Sequence, residues 1–316
     1  MADKQAKPQV LMIGGPTAVG KTALAIRLAQ QFEGIIINAD AFQIYRGMDI
    51  GTAKPTGAER RAAEHRLIDI AEPDAGFSAA KFVALAKQEI SRALAMGKLP
   101  ILVGGTGFYL NALRLGLALG EKGAGPERQR WQQYLVAHDS VSLWQQLNER
   151  DPKAAAAIPP ANTRRVIRAL EVITTTGELF SAQAENEPEF DCLVLGLNTE
   201  RSVLYERINT RVDAMMHQGL EQEARAVFAR YGAQAQGLAA IGYKEFIPYW
   251  QGEQDLPTTI ELIKRNSRRY AKRQLTYFHN QMPAHWFDLV AHPEEDQEIN
   301  KLVYAWLSGP IAPIPG

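Results

Sequence analysis

The chain has 316 residues, 46% of them hydrophobic and 22% charged, with a formal net charge of zero. This is the make-up of a globular protein with room for one large core or two smaller ones, and it excludes a disordered, collagen-like or uniformly basic chain. No apolar run approaches the length of a bilayer-spanning helix, so no membrane partner is expected, and any surface for nucleic acid has to be local.

In chain order, Met1–Pro8 lacks the apolar stretch and cleavage site of a signal peptide, and a cytoplasmic protein is expected. Val10–Ile13 reads as a buried strand, and Thr22–Gln31 as a helix. Between them, Gly15-Pro16-Thr17-Ala18-Val19-Gly20-Lys21-Thr22 fits G-x-x-x-x-G-K-[ST]. A glycine-rich turn between strand and helix aims backbone N–H groups at one spot, and the helix N-terminus adds positive potential there. Lys21 can reach the outer phosphates of a bound polyphosphate or pyrophosphate, and the Thr22 hydroxyl can ligate Mg²⁺. The bland alternative is a glycine-rich turn with a solvated lysine.

Further strands are expected at Ile35–Asn38, Leu67–Ile70 and Ile101–Val103, and helices at Ala58–Ala63, Ser78–Met96 and Phe108–Leu115. The alternation predicts a parallel sheet with crossover helices and active groups at the carboxyl ends of the strands. Asp40 follows one such strand. A carboxylate there can act as general base or bind Mg²⁺, or it can merely cap a turn. Asp69 is a rival for the Mg²⁺ side. Thr106 lies in Gly104-Gly105-Thr106-Gly107, where glycines permit close approach of a ligand, and it is also placed to cap the next helix.

Gly116, Gly120, Gly123, Gly125 and Pro126 mark a break. From Pro126 to Thr176 the pattern is helical, anchored by Trp131, Tyr134, Leu135, Leu143, Trp144 and Leu147, before Phe190–Leu197 returns as a strand holding the single cysteine, Cys192. The division expected is an α/β core of residues 1–115 and 190–316, with an all-helical insertion at 116–189. A long helix from Glu200 to Arg230 carries Arg207 and Arg211 four residues apart, able to clamp a leaving phosphate unless the pair is simply a solvated face. The segment Ile260–His279 then sets Lys264, Arg268 and Lys272 in one stripe and Arg265, Arg269 and Arg273 in the next, with Tyr270, Tyr277 and Phe278 interleaved. Six cations without an acidic residue between Ile263 and Met282 point to a phosphate backbone, and the aromatics to stacked bases. Arg164, Arg165 and Arg168, with Arg128 and Arg130, form a second cluster in the insertion. A neutral chain with localised basic patches and a diphosphate site fits an enzyme acting on RNA. A phosphate-loop small-molecule or nucleotide kinase and a non-catalytic RNA-binding NTPase are the rivals.

The segments Gly15–Thr22, Asp40–Pro55, His65–Asp69, Gly104–Tyr109, Arg164–Leu170, Ala240–Glu245 and Lys272–Thr276 together resemble the tRNA dimethylallyltransferase (isopentenyl-tRNA transferase) family, over nearly the whole chain. Two departures stand out: Ala41 where the family commonly has serine, and Tyr277-Phe278-His279 where it commonly has Trp-Phe-Arg. The resemblance implies a core like that of phosphate-loop NTPases, and transfer of a dimethylallyl group from dimethylallyl diphosphate to the N6 amine of the adenosine just 3′ of the anticodon. It implies Asp40 as the base, with Lys21, Arg211, the loop amides and Mg²⁺ on Thr22 serving the diphosphate and Thr106 at the reacting centre. It implies that the tRNA anticodon stem-loop meets Asp40, Ala41, Phe42, Gln43 and Thr106, with Gln43 reading the base edge. Further RNA contacts are implied at Gly242, Tyr243, Arg269, Lys272 and Arg273, and in the insertion at Arg128, Arg164, Arg165, Val166, Ile167 and Arg168. The two basic clusters are expected to converge on one stem-loop, bound by a monomer.

Overall fold

The computed structural model describes residues 7–117, 119, 125–182 and 187–309. The residues before Lys7, the glycines at 120 and 123 and the prolines at 310, 313 and 315 lie outside them. The chain divides into two compact units, residues 1–115 with 188–316, and residues 116–187.

The larger unit begins β1 (Gln9–Gly14), α1 (Lys21–Gln31), β2 (Gly34–Asn38), α2 (Gly57–Ala62), β3 (His65–Arg66), α3 (Ala79–Ala95), β4 (Leu99–Gly104) and α4 (Gly107–Arg114). In the smaller unit are α5 (Pro126–Ala137), α6 (Ser140–Arg150), α7 (Pro152–Ala157) and α8 (Thr163–Thr176). The larger unit resumes with β5 (Asp191–Leu197), α9 (Arg201–His217), α10 (Leu220–Tyr231), α11 (Phe246–Trp250), α12 (Leu256–Gln281), β6 (His285–Phe287) and α13 (Asp296–Ser308).

Among the described residues the strands form one parallel sheet in the order β3-β2-β4-β1-β5-β6. Apolar runs in β1, β4 and β5 reflect burial on both faces, as a parallel sheet between helices requires. Leu11, Ile13, Ile101, Val103, Leu193 and Leu195 pack with Leu24 and Leu28 of α1, Leu204 and Ile208 of α9, and Ile299, Val303 and Trp306 of α13. Gly14 pairs with Gly104 at the carboxyl ends of β1 and β4, so the phosphate loop and the Gly105–Gly107 loop leave the sheet side by side.

Two expectations are corrected. The strand expected at Leu67–Ile70 is only the two-residue β3, because Leu67 and Asp69 take positive φ angles of 59° and 58°, which no strand accommodates. The helix expected from Glu200 to Arg230 breaks at Gly219, with φ 100°, into α9 and α10. Beyond the basic segment, where the sequence pattern offered no element, the chain adds β6 and α13. By contrast, the basic segment is one helix, started by Asp255, whose side chain accepts from the Thr258 N–H at 2.8 Å.

The smaller unit has its own core of Trp131, Leu143, Leu147, Val166, Ile167 and Leu170. Trp144 pins α7 by donating to the carbonyls of Ala155 (3.1 Å) and Ile158 (2.7 Å). Asp151 accepts from the backbone N–H of Ala154 and of Ser181.

Candidate active site

The phosphate loop turns from β1 into α1 through Gly20, in the left-handed region at φ 104°. A Cβ at Gly15 would run into the Leu197 carbonyl, and one at Gly14 into the Phe278 ring, so the loop is seated against β5 and α12. Lys21 folds back over it, Nζ donating to the Pro16 carbonyl at 2.6 Å. Burial pulls the Lys21 ammonium down from 10.5 to about 8, against the pull of Asp40 toward the charged form. From α9, Arg207 donates to the Ala18 carbonyl at 2.9 Å and Arg211 to the Thr17 hydroxyl at 3.2 Å. Both arginines thus reach the loop, Arg211 from a partly buried position and Arg207 while still exposed to solvent. The Thr22 hydroxyl has no hydrogen-bond partner among the described residues.

Asp40 lies past the end of β2. Its backbone N–H donates to the Asn38 side chain, and its Oδ1 accepts from the Phe42 N–H at 2.9 Å, an Asx turn that fixes the carboxylate. Burial raises its pKa above the ordinary value, held back by the Phe42 and Gln43 N–H groups, Lys21 and Arg211. Asp40 is therefore a carboxylate beside two cations, with its basicity increased. Thr106 precedes α4 without capping it. Its hydroxyl instead accepts from the Ala41 N–H at 3.1 Å and ties the two strand ends together. The neighbouring glycines admit α12 side chains, for a Cβ at Gly105 would strike Gln274 and one at Gly107 Tyr277. Asp69 is taken up by Lys54 and by Arg60 at 2.9 Å, which removes it from the Mg²⁺ side.

α12 contributes two residues that patterning had read only as parts of a basic aromatic stretch. Gln274 accepts from the Thr17 N–H at 3.1 Å and donates to the Gly105 carbonyl at 2.8 Å. Tyr270, one turn earlier, lies beside Thr106 and Gln274, and both burial and Asp40 hold its phenol neutral. The spacing 270, 274, 278 in a helix that is cationic elsewhere was the available signal. The cations of α12 also divide. Lys264 pairs with Asp213 at 2.8 Å and Arg268 donates to Asn209 at 2.5 Å, fastening α12 to α9, whereas Arg265, Arg269, Lys272 and Arg273 are exposed.

The IPP transferase family model matches residues 43–281. A tRNA dimethylallyltransferase of Lacticaseibacillus paracasei is 56% identical over 96% of this chain and 99% of its own length, and one of Latilactobacillus sakei is 50% identical over 95% and 99%. The chain belongs to the IPP transferase family. Among solved structures, the tRNA isopentenylpyrophosphate transferase of Bacillus halodurans superposes with a TM-score of 0.73 at 43% identity, covering 96% of this chain and 97% of that one. A eukaryotic dimethylallyltransferase acting on tRNA gives 0.82 at 28% identity, covering 97% and 81%.

Several residues that the IPP transferase pattern nominates for RNA also make contacts within the scaffold. Glu223 of α10 accepts from the N–H groups of Asp49 (2.8 Å), Ile50 (2.9 Å) and Gly51 (3.0 Å) and from the Tyr243 hydroxyl (2.6 Å), which pins the Asp40–Pro55 segment. Tyr243, part of that clasp, is 0% exposed, and Gly242, at φ 93°, donates to Glu245 at 2.9 Å. Gln43 spends its amide on the carbonyls of Thr52 and Ala53, at 3.1 Å each. In the insertion, Val166 and Ile167 fall on the core face of α8, 0% and 5% exposed, as a helical period dictates for residues between Arg164–Arg165 and Leu170. Arg128 and Arg168 converge on Glu171, while Arg164 and Arg165 face solvent. Of the departures from the family pattern, Ala41 still uses its backbone N–H on Thr106, and His279 stacks on Trp286 at 4.0 Å.

Proposed function

We propose that this transferase moves the dimethylallyl group of dimethylallyl diphosphate onto the N6 amine of the adenosine 3′-adjacent to the anticodon of tRNA, releasing diphosphate. The observation that carries the reading is the facing of a half-buried, basicity-raised Asp40 by Lys21 and Arg211 over one phosphate loop, in a chain of this family. An exocyclic aryl amine is a weak nucleophile, and as its nitrogen bonds to the allylic carbon its proton passes to Asp40. Charge developing on the departing diphosphate is met by the loop amides, Lys21 and Arg211. The adenosine has to leave its stack to reach this centre, at a cost of a few kcal/mol.

Mg²⁺ fits the loop through the unpartnered Thr22 hydroxyl. Among the described residues no group of three or more His, Cys, Asp or Glu could hold a metal, so the ion would be carried jointly by Thr22 and the diphosphate oxygens, where it would neutralise charge on the leaving group. For the tRNA anticodon stem-loop, the exposed Arg265, Arg269, Lys272 and Arg273 of α12 and Arg164 and Arg165 of α8 supply phosphate contacts. The cytoplasm, where tRNA and a reduced Cys192 coexist, is the setting. A phosphate-loop kinase would share Lys21 and Asp40 but leave the cationic face of α12 unused.

Incubation with radiolabelled dimethylallyl diphosphate and unmodified tRNA is expected to label the RNA. Absence of label, with ATP consumed at kinase-like rates without RNA, would overturn the reading.

A further inference from the structure

We infer that Gln274 is a positioning residue for the transfer, its side-chain amide standing in for a peptide group between two diverging strands; this rests on the function proposed above. β1 and β4 are paired up to Gly14 and Gly104 and then separate, β1 into the phosphate loop and β4 toward Thr106. Just beyond the last pair, Gln274 inserts from α12. Its Oε1 accepts from Thr17 N–H on one side, and its Nε2 donates to the Gly105 carbonyl on the other. The donor and acceptor of one primary amide thus continue the ladder across the gap. Gln274 is 5% exposed, and Gly105 is bare of the Cβ that would collide with it.

The two tethered residues are neighbours of the chemistry on both sides. Thr17 holds Arg211 through its hydroxyl, so fixing the Thr17 backbone fixes one end of the diphosphate clamp. Gly105 precedes Thr106, which holds Ala41 and through it the Asp40 turn. Gln274 therefore sets the separation between the leaving-group side and the base side without touching either substrate. Misplacement of reacting groups by about 1 Å costs on the order of a hundredfold in rate, so a residue that only spaces them can have a large kinetic effect.

The test uses Gln274→Met, which keeps length and volume and removes both polar atoms, and Gln274→Glu. Readouts are kcat and KM for tRNA and dimethylallyl diphosphate, binding of inorganic pyrophosphate, and the melting temperature. For Gln274→Met, kcat is expected to fall by about ten- to a hundredfold, pyrophosphate binding to weaken severalfold, and KM for tRNA to stay within twofold. A carboxyl group reproduces the acceptor–donor pattern of an amide only when protonated. The ratio of kcat for Gln274→Glu to that of the unsubstituted protein is therefore expected to rise as pH is lowered, a comparison in which titrations common to both cancel. A Met variant with unchanged kcat and pyrophosphate affinity would overturn the inference. So would a Glu ratio independent of pH, which remains measurable if the Met variant fails to fold. Failure of the functional reading looks different: the unsubstituted protein itself would not transfer the prenyl group.

Discussion

Replacing Asp40 by Asn removes the base with little change of shape. The Asn side-chain oxygen can still accept from the Phe42 N–H, now at 2.9 Å, and the main-chain bond from residue 40 to Asn38 is untouched. The turn should therefore survive, and tRNA affinity with it. Loss of a general base costs about 10²- to 10⁴-fold, which is about 2.7–5.4 kcal/mol of barrier at 1.36 kcal/mol per decade. The pH profile gives a second readout. The Asp40 pKa is raised by burial, so the rate of the unsubstituted protein should fall, as pH is lowered, at a higher pH than an ordinary aspartate would dictate, and this limb should vanish in the variant. A third readout follows from Lys21, which is charged below its pKa and neutral above. Burial has already brought it from 10.5 to about 8, and Asp40 opposes that fall. Without Asp40 the pKa drops further, so pyrophosphate binding by the variant should weaken with rising pH from a lower pH than in the unsubstituted protein. Single-turnover transfer with saturating tRNA, together with filter binding of tRNA, measures these effects. Undiminished turnover at saturation combined with weakened tRNA binding would make Asp40 a recognition residue and refute the reasoning.

Lys21→Ala should cost about 3 kcal/mol of barrier, roughly a hundredfold in rate, measured at saturating dimethylallyl diphosphate; a loss confined to KM would place the lysine in ground-state binding alone. Charge reversal at Arg165 and at Arg269, each exposed, should weaken tRNA binding and lower its salt slope by at least about one unit per lost phosphate contact, leaving pyrophosphate binding intact. Unchanged salt dependence in both would identify them as ordinary solvated faces. Glu223→Ala should destabilise the fold by about 2–3 kcal/mol in denaturant titration, since it strips an acceptor from three backbone N–H groups and Tyr243. An equally stable variant would mean that the Asp40–Pro55 segment holds its shape unaided.

The sheet was legible because β1, β2 and β4 are buried on both faces and so appear as short continuous apolar runs. The phosphate loop was legible because its chemistry needs fixed residue types at fixed spacing. Leu67–Ile70 misled because it is equally apolar but bends through two positive φ angles that side-chain identity does not announce. Glu223 could not be read in advance, and the 270, 274, 278 spacing marked Gln274 without its partners: each bonds to backbone groups more than a hundred residues away, and a polar side chain carries no mark of the main chain it will meet. Arg207 and Arg211 were visible as a pair, but only the packing of α9 showed that both reach the loop, Arg211 partly buried and Arg207 still exposed. In α8 the run Arg164–Arg168 drew attention as one block, and the helical period divides it into two exposed arginines, two core residues and Arg168, which is paired with Glu171.

The order in which these parts leave the ribosome has a consequence of its own. The phosphate loop precedes in sequence the parts that brace it: β1 finds its two sheet neighbours only in β4 and β5, and the loop is held by Phe278 and Gln274 from α12, Gln274 lying 257 residues after Thr17. A nascent chain thus carries the diphosphate-binding sequence long before it can hold the shape that binds. Closing contacts this distant in sequence is slow compared with forming helices. A chain that has not yet reached Gln274 and Phe278 lacks both braces, so the diphosphate site is expected to take shape only once α12 has been made.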